Sequence, residues 1–190
     1  EVLTLADVGV PQAGETGVTF EENARIKALA LSRRLGIWAL ADDSGLEVDA
    51  LGGEPGVRSA RYAGEGATDE ANNRKLLEAL AGVPAERRGA QFRCVLALAA
   101  PDGRVWVAEG CCRGRIGYSP AGGGGFGYDP LFVPEGETLT FAQMSPEAKA
   151  SLSHRGIALS KMLSTIKELA LSGEIPLPAG APAEEPRETS

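Results

Sequence analysis

Apolar side chains recur at helical spacing between Thr19 and Leu35, a pattern that predicts an amphipathic helix. Thr19 is suited to cap this helix, two glutamates follow at its positive end, and Gly36 ends it. The run "IWALA" then predicts a buried strand leading directly into "DDSG", and "LEVDAL" predicts a following strand. The opening letters "VLTL" predict a further strand near the N-terminus.

The second half of the chain continues this mixture of helices and strands. A second helix is predicted from Thr68 to Gly82, and "AQFRCVLALAA" and "RVWVAEGCCRG" form a candidate hairpin around "PDG". Ser145 followed by Pro146 predicts the start of one helix, and Ser153 predicts the start of another. The pattern indicates an α/β domain with a mixed sheet over residues 1–173. The proline-, alanine- and acid-rich residues 174–190 are expected to form a mobile tail.

Composition excludes several classes of function. The 190 residues suit one domain or two lobes sharing a core, and a net charge of −7 argues against a nucleic-acid-binding surface. No apolar run approaches the roughly 20 residues that span a bilayer, and no signal peptide is evident. The 3 cysteines lack C-x-x-C spacing, which favours neither zinc nor disulfides. We therefore expect a cytoplasmic protein with reduced cysteines and no membrane or nucleic-acid partner.

The glycine-rich stretch "AGGGGFGYDP" matches the G-x-G-x-x-G spacing of a dinucleotide-binding turn. That motif requires a following helix, but "LFV" predicts a short strand here, and Pro130 disfavours helical geometry at Asp129. The loop is therefore not predicted to cradle phosphates. It is either a tight turn with its aromatic residues in a core, or a pocket wall. In the second case Phe126 lies against a planar ring and Asp129 accepts a hydrogen bond from it.

Two acidic clusters are candidates for chemistry. The first comprises Glu15, Glu21, Glu22 and Lys27 around the start of the first helix, where they form either a solvated charged surface or a metal carboxylate with a phosphate-binding lysine. Asp42 and Asp43 either shape a turn or face a ligand at the end of an apolar strand. Because adjacent side chains on extended backbone point in opposite directions, only one of the two is expected to face a given ligand.

The segment "SHRG" at a predicted helix start contains the one histidine of the chain, His154. A single histidine is more often structural than catalytic, yet Ser153, His154 and Arg155 together form a donor-rich patch. A serine nucleophile is not favoured, because the chain shows no G-x-S-x-G elbow.

Four segments in this order resemble one family: "TFEENARIKA", "ADDSGLEVDALGGEPGVRSARYAG", "GGFGYDPLF" and "SHRGIAL". They are similar to the inosine triphosphate pyrophosphatases, also called the Ham1 or non-canonical purine NTP pyrophosphatases. The resemblance extends from Thr16 to Leu169. It implies an elongated mixed sheet flanked by helices, with two lobes and a central cleft, and usually a homodimer. It also implies Mg²⁺-dependent hydrolysis of ITP, dITP and XTP to the monophosphate and pyrophosphate.

The resemblance assigns roles to individual residues. Asp43 matches the catalytic position, proposed as general base and metal ligand, and the second metal carboxylate is Glu15 or, as the next choice, Glu22. Lys27 matches a phosphate-side lysine. The remaining matches are substrate contacts: Ser44, Phe126, Gly127, Tyr128, Asp129, Lys149, His154 and Arg155. Arg155 or loop amides would pair with the oxygen at C6 of the purine, whereas the residues that reject guanine are not indicated.

The family also begins with a strand and a Ser/Thr-x-Asn-x-x-Lys loop that grips the triphosphate. The 190 residues contain neither, and we expect both to lie upstream of Glu1. Two alternatives remain open. One is a Maf-type pyrophosphatase, which would favour modified pyrimidine nucleotides, although "FGYDP" and "SHRG" argue against it. The other is a nucleotide-binding module without turnover.

Overall fold

Four strands form one antiparallel sheet, in the spatial order β1-β2-β3-β4. The computed structural model describes residues 2–11 and 14–175. Its strands are β1 (Ala39–Val48), β2 (Gly89–Ala99), β3 (Val105–Ile116) and β4 (Phe132–Pro134). Its helices are α1 (Leu5–Val8), α2 (Phe20–Leu35), α3 (Asp69–Ala79), α4 (Pro146–Leu152) and α5 (His154–Leu171). The predicted α/β fold is confirmed, and every strand pair among the described residues is antiparallel.

Helix α2 covers one face of the sheet and begins and ends as predicted. The Thr19 hydroxyl accepts a hydrogen bond from the Glu22 amide at 3.1 Å, and Gly36 adopts a left-handed φ of 68° that closes the last turn. Ala24 and Ala28 are fully buried against small residues of β2. These short side chains let α2 approach the sheet closely, which brings its polar residues near β1.

Strand β1 is longer than predicted, because "DDSG" lies inside it. All ten residues from Ala39 to Val48 pair with β2, so the separate strand "LEVDAL" is wrong, and of the two alternatives for Asp42 and Asp43 the turn is excluded. Gly45 lets a later segment pack directly on β1: a Cβ atom there would lie 2.5 Å from the Gly56 carbonyl oxygen and from the Ser59 hydroxyl. Asp42 and Asp43 therefore occupy the middle of a strand and point to its opposite faces.

The predicted N-terminal strand "VLTL" is also wrong. Thr4 instead caps the short helix α1 and forms a capping box with Asp7, whose carboxylate accepts hydrogen bonds from the Thr4 amide and hydroxyl. This local hydrogen bonding competes with extended pairing.

Helices α4 and α5 share Ser153, which ends the first and caps the second. The caps predicted at Ser145 and Ser153 are both present. Gly110 of β3 allows α5 to approach closely: a Cβ atom there would lie 2.1 Å from the His154 carbonyl oxygen. The first turn of α5 is thereby held against the face of the sheet that α2 does not cover.

That second face carries two separate apolar clusters. One surrounds Leu46, Phe92 and Phe132 beside α3, and the other surrounds Leu96 and Met162 beneath α5. Ser44, between Asp42 and Leu46 on β1, marks the boundary of the two clusters.

The predicted tail falls almost wholly on residues 176–190, which lie outside the described residues. Within the part of the chain that the structure describes, no helix combines the length and the apolar character needed to cross a bilayer.

Candidate active site

Asp43 lies in a buried ionic cluster between β1 and α2. Its carboxylate is 2.8 Å from the Lys27 ammonium and accepts a hydrogen bond from the Asn23 amide at 3.1 Å. Lys27 also contacts the Glu15 carboxylate at 3.1 Å, and the Lys27 side chain is only 7% exposed. Arg61 donates to the other oxygen of Glu15 at 3.0 Å. Two carboxylates therefore converge on one buried ammonium group.

The sequence positions of Asn23 and Lys27 explain how α2 builds this cluster. Residues four apart lie on the same face of a helix, so both side chains reach the same strand. Arg61 comes from the 3₁₀ turn Gly56–Arg61, which follows β1. The role of Asn23 could have been found from its helical spacing to Lys27, whereas nothing local marks Arg61.

The pKa values of the two carboxylates in this cluster are shifted in opposite directions. Burial raises the pKa of Asp43 above its ordinary value, even though Lys27 and Asn23 favour its ionised form. Burial also opposes ionisation of Glu15, but hydrogen bonds from Lys27 and Arg61 outweigh it and lower the pKa of Glu15. Burial thus makes Asp43 a better proton acceptor than an ordinary aspartate.

Glu22 lies outside this cluster. Its carboxylate accepts a hydrogen bond from the Val18 amide at 2.7 Å, at the exposed start of α2. This contact caps the helix and leaves Glu15 as the carboxylate that shares Lys27 with Asp43.

On the opposite face of β1, Asp42 contacts Arg155 of α5. An oxygen of Asp42 accepts hydrogen bonds from the Arg155 guanidinium at 2.9 Å and from the Ser44 hydroxyl at 3.2 Å. The Arg155 and Asp42 side chains are 44% and 40% exposed, so this ion pair contributes less than about 1 kcal/mol. Arg155 can therefore exchange Asp42 for another acceptor at small cost.

His154 is buried beside Arg155 and stacks on Phe92, with ring centroids 4.8 Å apart and an interplanar angle of 12°. Its Nδ1 atom has no hydrogen-bond partner among the described residues. Burial, reinforced by the charges of Arg155 and Lys149, lowers the pKa of His154 to about 3. The imidazole is therefore neutral near pH 7 and presents an unpaired polar atom next to the pocket.

This buried imidazole is expected to make stability depend on pH. The unfolded chain binds a proton at His154 below about pH 6.5, while the folded chain does not until about pH 3. The stability that follows from a neutral His154 is thus present above pH 6.5 and is lost as the pH falls toward 3. Between pH 7 and 5, the free energy of unfolding of the wild type should fall about 2 kcal/mol more than that of His154→Phe. Denaturant titrations at both pH values test this, and equal losses would contradict it.

The glycine loop is held by Asp129 and faces the start of α5. The buried Asp129 carboxylate accepts hydrogen bonds from the Phe126 amide at 2.9 Å and from the Lys149 ammonium. The Phe126 ring is 62% exposed, with Lys149 Nζ 5.0 Å and Arg155 Cζ 5.6 Å from its centroid. Tyr128 is buried and donates to the Ser59 carbonyl oxygen at 2.9 Å.

As predicted, the glycine loop precedes a strand and no helix, so it lacks the architecture of a dinucleotide cradle.

One pocket brings most of the predicted substrate residues together. Its lining includes Ser44, Phe126, Gly127, Tyr128, Asp129, Lys149, His154 and Arg155. Lys27 and Glu15 are absent from this lining and lie with Asp43 on the other face of β1. The candidate site thus has an aromatic, donor-rich part and an acidic part, which one strand separates.

The chain is similar to known proteins over most of its length. The model of the Ham1 family matches residues 1–165. The dITP/XTP pyrophosphatase of Methylococcus capsulatus is 53% identical over 89% of this chain and 85% of its own length. That of Desulforamulus reducens is 54% identical, with 92% and 88% covered.

Solved structures give the same result. A HAM1 protein from Coxiella burnetii superimposes with a TM-score of 0.81 and 42% identity, over 86% of this chain and 84% of that one. A nucleoside-triphosphatase / dITP/XTP pyrophosphatase from Mycobacterium abscessus gives a TM-score of 0.71 and 48% identity, with 83% and 80% covered. With a family model and close relatives that span most of its length, the chain belongs to the Ham1 family.

Proposed function

We propose that this protein hydrolyses non-canonical purine nucleoside triphosphates (dITP, ITP and XTP) to the monophosphate and pyrophosphate. The observation that carries the proposal is the division of the site by β1. The acidic cluster around Asp43 lies on one face, and the pocket around Ser44 and Arg155 lies on the other. A nucleotide lying across this strand would present its phosphates to one part and its base to the other. The relatives named dITP/XTP pyrophosphatase support the same activity.

We propose Mg²⁺ as the cofactor, held by Glu15 and Asp43. The donor set fits, because both carboxylates already converge on one cationic group. No three His, Cys, Asp or Glu side chains within residues 2–11 and 14–175 form a complete metal site. Two carboxylates completed by phosphate oxygens and water suit Mg²⁺, which is rarely held by protein ligands alone. When bound, Mg²⁺ would neutralise charge on the phosphates.

Asp43 is proposed as the general base. Burial raises its pKa, which favours its action as a proton acceptor, and Asn23 and Lys27 fix its orientation. Asp43 would take the proton from the attacking water as the anhydride bond to the leaving pyrophosphate breaks. Lys27 would supply positive charge to the phosphates, which explains how a protein of net charge −7 holds a triphosphate.

The base is proposed to lie against Phe126, with Arg155 donating to the oxygen at C6. Adenine carries an amino group there and would place a donor against a donor, and an unpaired polar group in a closed pocket is strongly disfavoured. Asp129 already accepts hydrogen bonds from Phe126 and Lys149. Asp129 is therefore proposed to act mainly by holding the loop and the lysine.

Pyrophosphate release from dITP, XTP, dATP and dGTP, measured with Mg²⁺ and with a chelator, tests the proposed function. Rapid release from dITP and XTP alone, lost in chelator, supports it. Binding without release would indicate a module without turnover, and a preference for modified pyrimidine nucleotides would indicate Maf-type activity.

We also propose a homodimer in the cytoplasm. The exposed Leu159 and Leu163, one turn apart on α5, offer an apolar surface for a second copy.

Replacing Arg155 tests whether this residue recognises the base. Arg155→Ala removes the donor to the C6 oxygen and is expected to raise KM for dITP by about tenfold to a hundredfold, with kcat changed less than about threefold. Arg113→Ala is the matched control, because Arg113 forms a similarly exposed pair with Asp49 away from the pocket. An unchanged KM in Arg155→Ala would remove Arg155 from base recognition.

A further inference from the structure

One face of α3 holds both walls of the proposed base pocket. Asp69, Asn72 and Asn73 follow i, i+3, i+4 spacing, so their side chains point the same way from the helix. One wall is the segment around the 3₁₀ turn Gly56–Arg61, and the other is the glycine loop. The sequence patterns of the family resemblance include none of these three residues.

Asn72 fixes the first wall by two hydrogen bonds. Its side-chain oxygen accepts from the Ala63 amide at 2.8 Å, and its nitrogen donates to the Ala60 carbonyl oxygen at 3.1 Å. Because Asn72 is 2% exposed, water competes little for these bonds.

Asp69 and Asn73 fix the second wall at a single residue, Gly127. The Asp69 carboxylate accepts from the Gly127 amide at 2.6 Å, and the Asn73 side chain donates to the Gly127 carbonyl oxygen at 2.9 Å. Gly127 has a φ of 60°, a conformation that the glycine adopts without strain. Both polar groups of the residue that follows Phe126 are therefore bound by one helix.

Helix α3 is itself rigidly placed. Leu76 and, one residue past the helix, Leu80 are fully buried in the cluster that also contains Phe92. A helix anchored in this way holds the two walls at one separation.

We infer that Asp69, Asn72 and Asn73 are positioning residues that hold both walls of the base pocket in fixed places and thereby set its selectivity among purines. This inference rests on the proposed function. Xanthine carries an oxygen of similar size at C2, so guanine would be rejected because its 2-amino donor finds no acceptor between fixed walls, and mobile walls would let that donor find one.

The test uses Asn73→Ala and Asp69→Ala, with Asp69→Asn as the conservative variant and Arg74→Ala as control. Asn73 is a suitable site for truncation, because its buried side-chain oxygen has no hydrogen-bond partner in the described part of the chain. Replacing Asn73 with alanine therefore leaves no further polar atom unsatisfied on this side chain. The amide oxygen of Asn at position 69 can still accept from Gly127. Arg74 is exposed and lies beside Asn73 on the same helix.

Three quantities are measured: hydrogen exchange of residues 122–128, the Kd of IMP, and kcat/KM for dITP and dGTP. Both alanine variants should exchange faster in that segment, and the Kd of IMP should rise about tenfold, the effect of one lost hydrogen bond. The dITP-to-dGTP ratio should fall by about the same factor. Asp69→Asn should restore the ratio, and Arg74→Ala should match the wild type.

An unchanged dITP-to-dGTP ratio in both alanine variants overturns the inference, as does unchanged exchange of residues 122–128. Failure of the proposed function gives a different result: the wild type itself would neither bind IMP nor release pyrophosphate from dITP.

Discussion

Asp43→Asn is expected to lower kcat for dITP by about a thousandfold, within the range that a general base contributes. The amide keeps the shape of the side chain but cannot accept the proton of the attacking water. The fold should persist, because Lys27 keeps Glu15 as a partner when Asp43 loses its charge. Pyrophosphate release measures the rate, and circular dichroism verifies the fold.

Two further variants make this result specific to Asp43. Asp102→Asn removes an exposed carboxylate in the β2–β3 turn and should leave kcat unchanged. Asp42→Asn changes the adjacent residue, which faces Arg155 on the other side of β1, and should alter KM more than kcat. Near-normal turnover by Asp43→Asn, or equal losses of kcat at positions 42 and 43, would exclude Asp43 as the base.

Lys27→Met is expected to have the second largest effect, on stability as well as activity. Without the ammonium, the buried Asp43 carboxylate loses its cation and faces the half-buried Glu15 as a like charge, and removing one partner of a buried ion pair costs about 3 kcal/mol or more. Turnover should also collapse, because the phosphates lose their proposed cationic partner. Denaturant unfolding in chelator, compared with the wild type, measures the loss of stability.

Mg²⁺ should recover part of this stability. A cation at Glu15 and Asp43 would replace the missing ammonium, so Mg²⁺ should raise the unfolding free energy of Lys27→Met more than that of the wild type. Lys167→Met, which removes an exposed lysine of α5, is the control and should respond like the wild type. An equal response of Lys27→Met and wild type would argue against a cation at these carboxylates.

Much of the fold could be predicted because it depends on short-range rules. The caps at Thr19, Ser145 and Ser153 each bind an amide three residues away, and the "PDG" turn joins two strands adjacent in sequence. The family resemblance assigned most of the pocket residues. Local reasoning could not decide between a turn and a strand at "DDSG", because pairing of all ten β1 residues with β2 overrides the turn preference of Asp, Ser and Gly.

The candidate site depends on contacts between residues far apart in the chain. Arg155 and Asp42 are 113 positions apart, and Glu15 and Arg61 are 46 apart. No local pattern encodes these pairs, because each forms only after a helix or loop packs on the sheet. No local pattern marks the three polar residues of α3 either, since their partners are backbone groups of distant loops.

The sequence by itself determined where α2, α3, α4 and α5 begin, that the glycine loop is no phosphate cradle, and which residues are candidates for chemistry. Only the tertiary structure decided that Asp42 and Asp43 serve different parts of the site. The alternation of a strand sends the two side chains to opposite faces, but their partners depend on α2 packing on one face and α5 on the other. That packing is a property of the whole folded chain.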